Sequence, residues 1–363
     1  MKIAFLVSTF PPDIGGMGDV AFEEANRLAI NGHQVKVFCL KYKKSDYFKD
    51  KNFPFSIVRL KSFKIGDAGF APQLFFLLKN FDIVHLHYPF YGVAQCLWLA
   101  KKIWHLKYFV TYHMDAKTGG IKKILQAVYD FFWAKKVLNN AEKIFIVDNI
   151  IFDNSKYLKN ISGGKVELLL NGVDDNIFCP WPKEIKIKNL EKNILFVGNL
   201  LVLKRLDLLI DAFSQLNIND SRLLIVGGGY EIEKYKKLAR EKKVASKISF
   251  EGIVRDKRQL ANYYNLADVC VVPSDYESFS LSALSSVMCG TPVVVSSATG
   301  FSKEVLNYDL GEIFIAGDVG DLAKKIKIVL NNKKQIENNK IKILKNKYSW
   351  DKHIKRLEKV YGL

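Results

Sequence analysis

Cysteine is scarce and scattered in this sequence. Its five cysteines, at 39, 96, 179, 270 and 289, are odd in number, widely spaced and form no C-x-x-C pair. That pattern excludes a disulfide-built scaffold and a zinc ribbon, and it fits a reducing compartment. Long apolar runs are missing too. The opening run Ile3–Val7 is cut off by Pro11-Pro12, too soon for a secretory leader or a membrane span. The richest later stretch, Phe70–Ala100, carries Lys79, Asp82, two histidines and Pro89. The expectation is a cytoplasmic chain, either free or held peripherally on the inner face of the membrane. Acidic residues are the third shortage: 37 Asp and Glu stand against 55 Lys and Arg, for a net charge of +18. Such a balance points to an anionic partner: nucleic acid, anionic lipid or a phosphorylated small molecule. A lysine-rich solvated surface explains it equally well, because the lysines are spread along the whole chain. No zinc-finger spacing, RNP pattern or heptad basic region occurs, so nucleic acid is not expected.

What is present is an ordinary globular balance. The 363 residues are 49% hydrophobic and 25% charged, which excludes a mostly disordered chain. At about 150 residues per domain the length predicts two domains. Short β-branched runs alternate with segments of helical length. Strands are predicted at Ile3–Phe10, Val35–Leu40, Phe55–Leu60, Asp82–Tyr88, Tyr108–His113, Lys143–Asp148 and Val166–Leu170, with helices at Gly18–Asn31 and Ile121–Asn140. The pattern breaks at Cys179-Pro180-Trp181-Pro182 and the charged run Lys183–Asn193, then restarts. The second set of strands is Ile194–Gly198, Arg222–Val226, Ile248–Phe250, Val269–Pro273, Pro292–Ser297 and Glu312–Ile315. Its helices are Leu206–Leu216, Glu231–Lys243, Asp256–Leu266, Leu281–Cys289 and Val319–Asn331. The strands are nearly continuous in apolar residues, as strands covered on both faces of a parallel sheet must be. Strand–helix alternation of this kind predicts an α/β fold with two Rossmann-like domains facing across a cleft. The expected division is residues 1–178, a linker at 179–193, a second domain at 194–346, and a terminal helix at 347–363 packing back on the first domain. The tail from Asn331 carries ten Lys or Arg against three Asp or Glu.

Four segments carry chemistry. Pro11–Gly18 places Gly15 and Gly16 between the first strand and a helix, where glycine lets backbone N–H groups approach a phosphate; a tight connection alone would explain them as well. It is not G-x-G-x-x-G, so a dinucleotide reading fails. Thr111-Tyr112-His113 ends a strand, and His113 there is either a proton carrier or hydrogen-bond donor toward a sugar or phosphate, or a structural histidine. His85 and His87 alternate on one strand and so share a face; with no third ligand nearby they read as packing or cleft lining, not a metal site. Gly198-Asn199 is followed by Lys204-Arg205, two adjacent cations at a helix start that could hold a diphosphate or could simply be solvated. Asp275–Leu284 follows an apolar strand; its acids could accept hydrogen bonds from sugar hydroxyls, or Asp275 and Ser278 could cap the helix.

Together these segments resemble the retaining GT-B-fold glycosyltransferases known as glycosyl transferases group 1 or family 4. The resemblance covers nearly the whole chain. It rests on Gly15-Gly16, Asn31-Gly32-His33-Gln34-Val35, Asp82-Ile83-Val84-His85-Leu86-His87, Thr111-Tyr112-His113 and Asn171-Gly172-Val173-Asp174. It continues through Phe196-Val197-Gly198 with Lys204, Leu224–Gly229, Ala267–Ser274, Glu277-Ser278-Phe279, Cys289–Val294 and Tyr348-Ser349-Trp350. It implies a UDP- or GDP-sugar donor held mainly by the second domain, a glycan or lipid-linked acceptor held by the first, no cofactor and no bound metal. By position, Gly15 and Gly16 would face the donor diphosphate, His113 the transferred sugar, Lys204 the leaving diphosphate and Glu277 the sugar hydroxyls. Arg205, Asn199, Ser285, Gly252, Ser278 and Phe279 complete the implied donor site.

Three positions depart from the family pattern. Asn199 stands where an arginine is usual, Ser285 where a second glutamate is usual, and Phe301 where a glycine pair would continue. Arg205 is the candidate replacement for the lost cation. Ser285 would replace a charge-assisted bond of about 1.5–3 kcal/mol by a neutral one. These departures keep two other readings open: a catalytically degenerate GT-B binding or regulatory subunit, and a GT-B-fold nucleotide-sugar isomerase. Finally, Gly119–Lys136 sets an aromatic block between lysines, a composition that suits either an anionic membrane surface or a core-facing stripe.

Overall fold

The computed structural model describes residues 1–12, 15–41, 53–65, 68–115, 126–161, 164–182, 191–216, 218, 220–332 and 335–363. The chain divides into two compact units, Met1–Asn171 with Asp351–Leu363, and Gly172–Trp350. The division after Asn171 falls earlier than the Phe178 expected. Of the expected linker, residues 183–190 lie outside the described residues.

The first unit is built on β1 (Lys2–Leu6), β2 (Gln34–Leu40), β3 (Ser56–Leu60), β6 (Ile83–Tyr88), β7 (Lys107–Tyr112), β8 (Ile144–Ile146) and β9 (Val166–Leu168). They form one parallel sheet in the order β3-β2-β1-β6-β7-β8-β9. A small antiparallel hairpin, β4 (Phe63–Ile65) and β5 (Ala68–Phe70), stands apart from it. Helix α1 (Gly16–Ile30) buries Ala21, Ala25 and Leu28 against the sheet. The terminal helix Trp350–Tyr361 adds Ile354, Leu357 and Tyr361 to the same core.

The second unit carries β10 (Lys192–Val197), β11 (Ser221–Val226), β12 (Ile248–Gly252), β13 (Val269–Val272), β14 (Val293–Ser296) and β15 (Gly311–Phe314). Its order is β12-β11-β10-β13-β14-β15, again parallel throughout. Central strands such as β13, Val-Cys-Val-Val, are wholly buried. That is why they read as apolar runs without alternation.

In both sheets the chain reverses direction of growth at one point: between β1 and β6, and between β10 and β13. Loops leaving the carboxyl ends of strands at such a switch point diverge and leave room for a ligand. Two of the resemblance's segments serve the fold instead. Val173 bridges to Ser349, its N–H donates to the Tyr348 carbonyl at 2.9 Å, and a Cβ on Gly172 would meet the Trp350 ring at 2.4 Å.

Candidate functional site

In the second unit two loops leave the switch point. The loop after β10 carries Asn199, Lys204 and Arg205, and the loop after β13 carries Asp275, Glu277 and Ser278. Lys204 and Glu277 meet: Nζ lies 2.9 Å from Oε1, with both side chains half-buried. The second carboxylate oxygen of Glu277 accepts a hydrogen bond from the Ser274 hydroxyl at 3.0 Å. The Glu277 backbone is held as well, its carbonyl accepting from Gly300 N–H at 2.9 Å. A cation and a carboxylate are thus fixed side by side at the carboxyl end of the sheet.

Arg205 is placed differently. Its guanidinium donates to Asp275 at 2.8 Å and to Asp207 at 3.2 Å, so its charge is already met by two carboxylates. Asp275 therefore serves Arg205 and caps no helix. The N-cap of helix Leu281–Met288 is Ser280, whose hydroxyl accepts from Ala283 N–H at 3.2 Å, so the alternative of a cap at Asp275 or Ser278 is not taken. Ser285 lies one turn into this helix, nearly buried, and its hydroxyl has no partner among the described residues. Phe279 packs edge-on against Phe301 at 5.6 Å, and its ring lies tilted against Tyr348 at 5.2 Å. Phe301, fully buried, thus stands where it does because the core claims it. Gly252 ends β12 with φ +74° and open space at its Cβ position.

In the first unit Gly15 is the N-cap of α1 and Gly16 its first residue; Asp13 and Ile14 lie outside the described residues. A Cβ on Gly16 would meet nothing within 4 Å, and one on Gly15 only the Thr9 hydroxyl at 3.4 Å. Gly18 is the glycine the packing needs, because a Cβ there would lie 2.7 Å from the Thr9 carbonyl oxygen. Among the described residues nothing requires glycine at 15 or 16.

His113 follows β7 and belongs to a buried cluster. Its Nε2 lies 3.0 Å from His87 Nδ1. His87 Nε2 lies 3.3 Å from one oxygen of Glu24, and His353 Nε2 lies 2.9 Å from the other. His85 stacks on His87 at 5.0 Å, with Thr111 at 2.7 Å from its Nε2 and Tyr361 on its Nδ1. Burial first, and then the repulsion a proton on His113 would meet from one on the neighbouring His87, push the His113 pKa down to about 3. Burial likewise takes His85 down to about 3. Burial alone would raise Glu24, but His87 and the hydrogen bonds from His353 and His87 outweigh it and hold Glu24 well below the usual range.

Glu24 corrects the expectation that no third ligand lies near the histidine pair. It comes from α1, and Glu24, His85 and His87 bring donor atoms within 4.8 Å of one another, a spacing one metal ion could bridge. Both His85 nitrogens face hydroxyls, and one Glu24 oxygen is held by His353, so an ion would have to break those bonds. The signal for Glu24 was legible: an acid on the apolar stripe Val20–Leu28. His353 likewise interrupts the stripe of Trp350, Ile354, Leu357 and Tyr361.

Residues 14–177 match the family described as Glycosyltransferase Family 4, and residues 180–347 match Glycosyl transferases group 1. Over 350 residues the chain is 30% identical to D-inositol 3-phosphate glycosyltransferase of Streptosporangium roseum, covering 86% of this chain and 79% of that one. The chain belongs to glycosyltransferase family 4.

This glycosyltransferase is also 28% identical over 396 residues to an uncharacterized glycosyltransferase of Methanocaldococcus jannaschii, across 100% of this chain and 98% of that one. Among solved structures it resembles sucrose-phosphate synthase from Thermosynechococcus elongatus, with TM-score 0.80 at 23% identity over 99% of this chain and 98% of that one. It also resembles the Anabaena HepE protein in complex with UDP and glucose, with TM-score 0.79 at 17% identity over the whole of both chains. At these identities the likeness is one of fold, and that fold is GT-B. Among the described residues of the glycosyltransferase, no helix is long and apolar enough to cross a membrane.

Proposed function

We propose that this glycosyltransferase moves a hexose-type sugar from a UDP- or GDP-sugar to a sugar hydroxyl, with retention of anomeric configuration and without a metal ion. The observation that carries the reading is the Lys204–Glu277 pair at 2.9 Å. In the reaction the bond from the anomeric carbon to the diphosphate oxygen breaks and a bond to the acceptor oxygen forms on the same face. The acceptor proton passes to the departing phosphate oxygen. The sugar becomes oxocarbenium-like on the way, so no protein nucleophile is needed. The developing charge on the diphosphate must be met by fixed cations and dipoles. Lys204 supplies the cation, and Glu277, held by Ser274, takes the sugar hydroxyls. The Ser285 hydroxyl, which has no partner among the described residues, would take a nucleotide ribose. The complex of the HepE relative with UDP supports a nucleoside-diphosphate donor.

A lipid-linked acceptor at an anionic membrane surface is favoured by one further feature. In the helical turn Asp130–Ala134, Phe131 and Phe132 are 81% and 53% exposed. Beside them Lys136 sits over the Trp133 and Trp98 rings at 5.2 and 5.9 Å. Aromatic and cationic groups presented together are what an anionic lipid interface binds. Residues 119–125, the lysine-bearing start of the Gly119–Lys136 segment, lie outside the described residues.

The test is transfer from a panel of UDP- and GDP-sugars to glycan and lipid-linked acceptors in excess chelator, with the product anomer read by NMR. The expected product keeps the donor's configuration, and Glu277→Gln lowers kcat/KM by about 100-fold. An inverted product overturns retention. Donor conversion without any acceptor supports an isomerase, and no turnover of any donor supports a non-catalytic subunit.

A further inference from the structure

The buried cluster of the first unit contains more charge than packing needs. Glu24 is fully buried on α1 and is shared by two histidines from different elements: His87 of β6 and His353 of the terminal helix. The cluster's other titratable groups are His85 of β6, His113 after β7, and Tyr361 of the terminal helix. Burying an ionised carboxylate is strongly unfavourable unless partners meet it closely.

The hydrogen-bond directions follow from what each atom can do. His353 Nδ1 faces the Leu170 carbonyl at 2.8 Å, which only accepts, so Nδ1 donates. Its Nε2 faces a Glu24 oxygen at 2.9 Å and donates as well. With Glu24 ionised, His353 is therefore an imidazolium, and the two form a buried ion pair. The other Glu24 oxygen lies 3.3 Å from His87 Nε2, and among the described residues neither atom has a closer hydrogen-bond partner. A lone pair on Nε2 would be repelled by the carboxylate, so Nε2 carries hydrogen. The Glu24 charge is already met by the His353 imidazolium, so a second cation at His87 would be buried without a counter-ion; His87 is therefore neutral, with its lone pair on Nδ1, which faces His113 Nε2 at 3.0 Å. His113 must donate there. Its own Nδ1 is left with a lone pair and no partner among the described residues.

We infer that Glu24 and His87 are positioning residues that fix His113 as the Nε2–H tautomer, so that its Nδ1 meets a ligand hydroxyl as a hydrogen-bond acceptor. The inference rests on the proposed function only in naming the ligand group a sugar hydroxyl. The tautomer itself is a property of the first unit. An uncharged side chain at 24 with both a donor and an acceptor, such as Gln, would let the His87–His113 bond run in either direction.

The experiment is 15N NMR of the imidazole nitrogens in the full chain, with His113 assigned by His113→Asn. The wild type is expected to show His113 protonated at Nε2 alone. Glu24→Gln is expected to show a mixture of tautomers and to lower transfer by about 10- to 100-fold. If Glu24→Gln does not fold, the double variant Glu24→Leu/His353→Leu removes both buried charges at once and is expected to show the same mixture. His113 protonated at Nδ1 in the wild type, or an unchanged tautomer in the variants, would overturn the inference. So would a zinc ion, carried stoichiometrically by the purified protein, whose removal shifts the His85 and His87 signals. The NMR readout needs no donor or acceptor, so a correct tautomer with no transfer would count against the proposed reaction and not against this relay.

Discussion

Lys204 Nζ sits 2.9 Å from Glu277 Oε1, joining the loop after β10 to the loop after β13 across the point where the second sheet reverses. The two residues are far apart in sequence, and each alone is an unremarkable side chain at a strand end. The parallel strand order is what brings them together. Neighbouring Arg205 shows the contrast. It adopts a left-handed backbone, φ 49°, and spends its guanidinium on Asp207 and Asp275. Lys204 is thus the cation of this loop aimed at the proposed sugar-binding carboxylate, and Arg205 is the one that ties the loop down.

Gly16→Ala separates ligand binding from folding. The added methyl meets nothing within 4 Å, and glycine in a helical position costs stability relative to alanine. The melting temperature of Gly16→Ala should stay level or rise, while donor turnover falls if a diphosphate approaches that backbone. Gly18→Ala should do the reverse first: its Cβ would press on the Thr9 carbonyl at 2.7 Å and lower the melting temperature. Thermal melts and turnover measured on both variants check the pair.

Stability should fall as the solution is acidified below neutrality. His85 and His113 are held neutral in the fold, with pKa values near 3, while an unfolded histidine takes up a proton near pH 6.5. Between those limits the unfolded chain binds more protons, so stability rises with pH by up to about 1.4 kcal/mol per unit for each histidine. Glu24 acts in the same direction. Its pKa is depressed, so its contribution is present above the unfolded carboxylate value and is lost as pH falls toward the folded one. Melting curves from pH 7 to pH 4 should show a steady decline, and His113→Asn should make it shallower.

Replacing Phe131 and Phe132 by Ser should weaken binding to vesicles containing anionic lipid, since both rings are exposed and burying each contributes about 1.5–3 kcal/mol. Their removal takes nothing from the core, so the fold should be unaffected. Vesicle co-sedimentation at low and high salt reads both the apolar and the charge contribution.

The sequence carried most of the sheet framework openly. Each strand of the two parallel sheets overlaps an expected one; the central strands show as apolar runs because a strand covered on both faces has no polar side, whereas edge strands such as β9, Val-Glu-Leu, are only partly covered. The β4–β5 hairpin and helices Val93–Trp104 and Ser302–Tyr308 are not among the elements the sequence announces; the hairpin strands are three residues each and too short to show a period. The helix cap is left open by local sequence. Asp275 and Ser278 are both good cap types, but the structure pairs Asp275 with Arg205 and gives the cap to Ser280. Glu24 and His353 were visible as charges on apolar stripes, but their meeting depends on the terminal helix returning to the first unit. Phe301 reads as a departure in sequence and as a core residue in the structure.

The most direct test of the donor site is calorimetric titration of UDP, GDP and ADP, with UMP as control, into the wild type, Lys204→Ala and Arg205→Ala. The account predicts that one diphosphate binds selectively. Lys204→Ala should weaken it by at least about tenfold, the value of one charge-assisted hydrogen bond, and Arg205→Ala by much less. Equal losses in the two variants, or binding of that diphosphate unchanged by Lys204→Ala, would contradict the account.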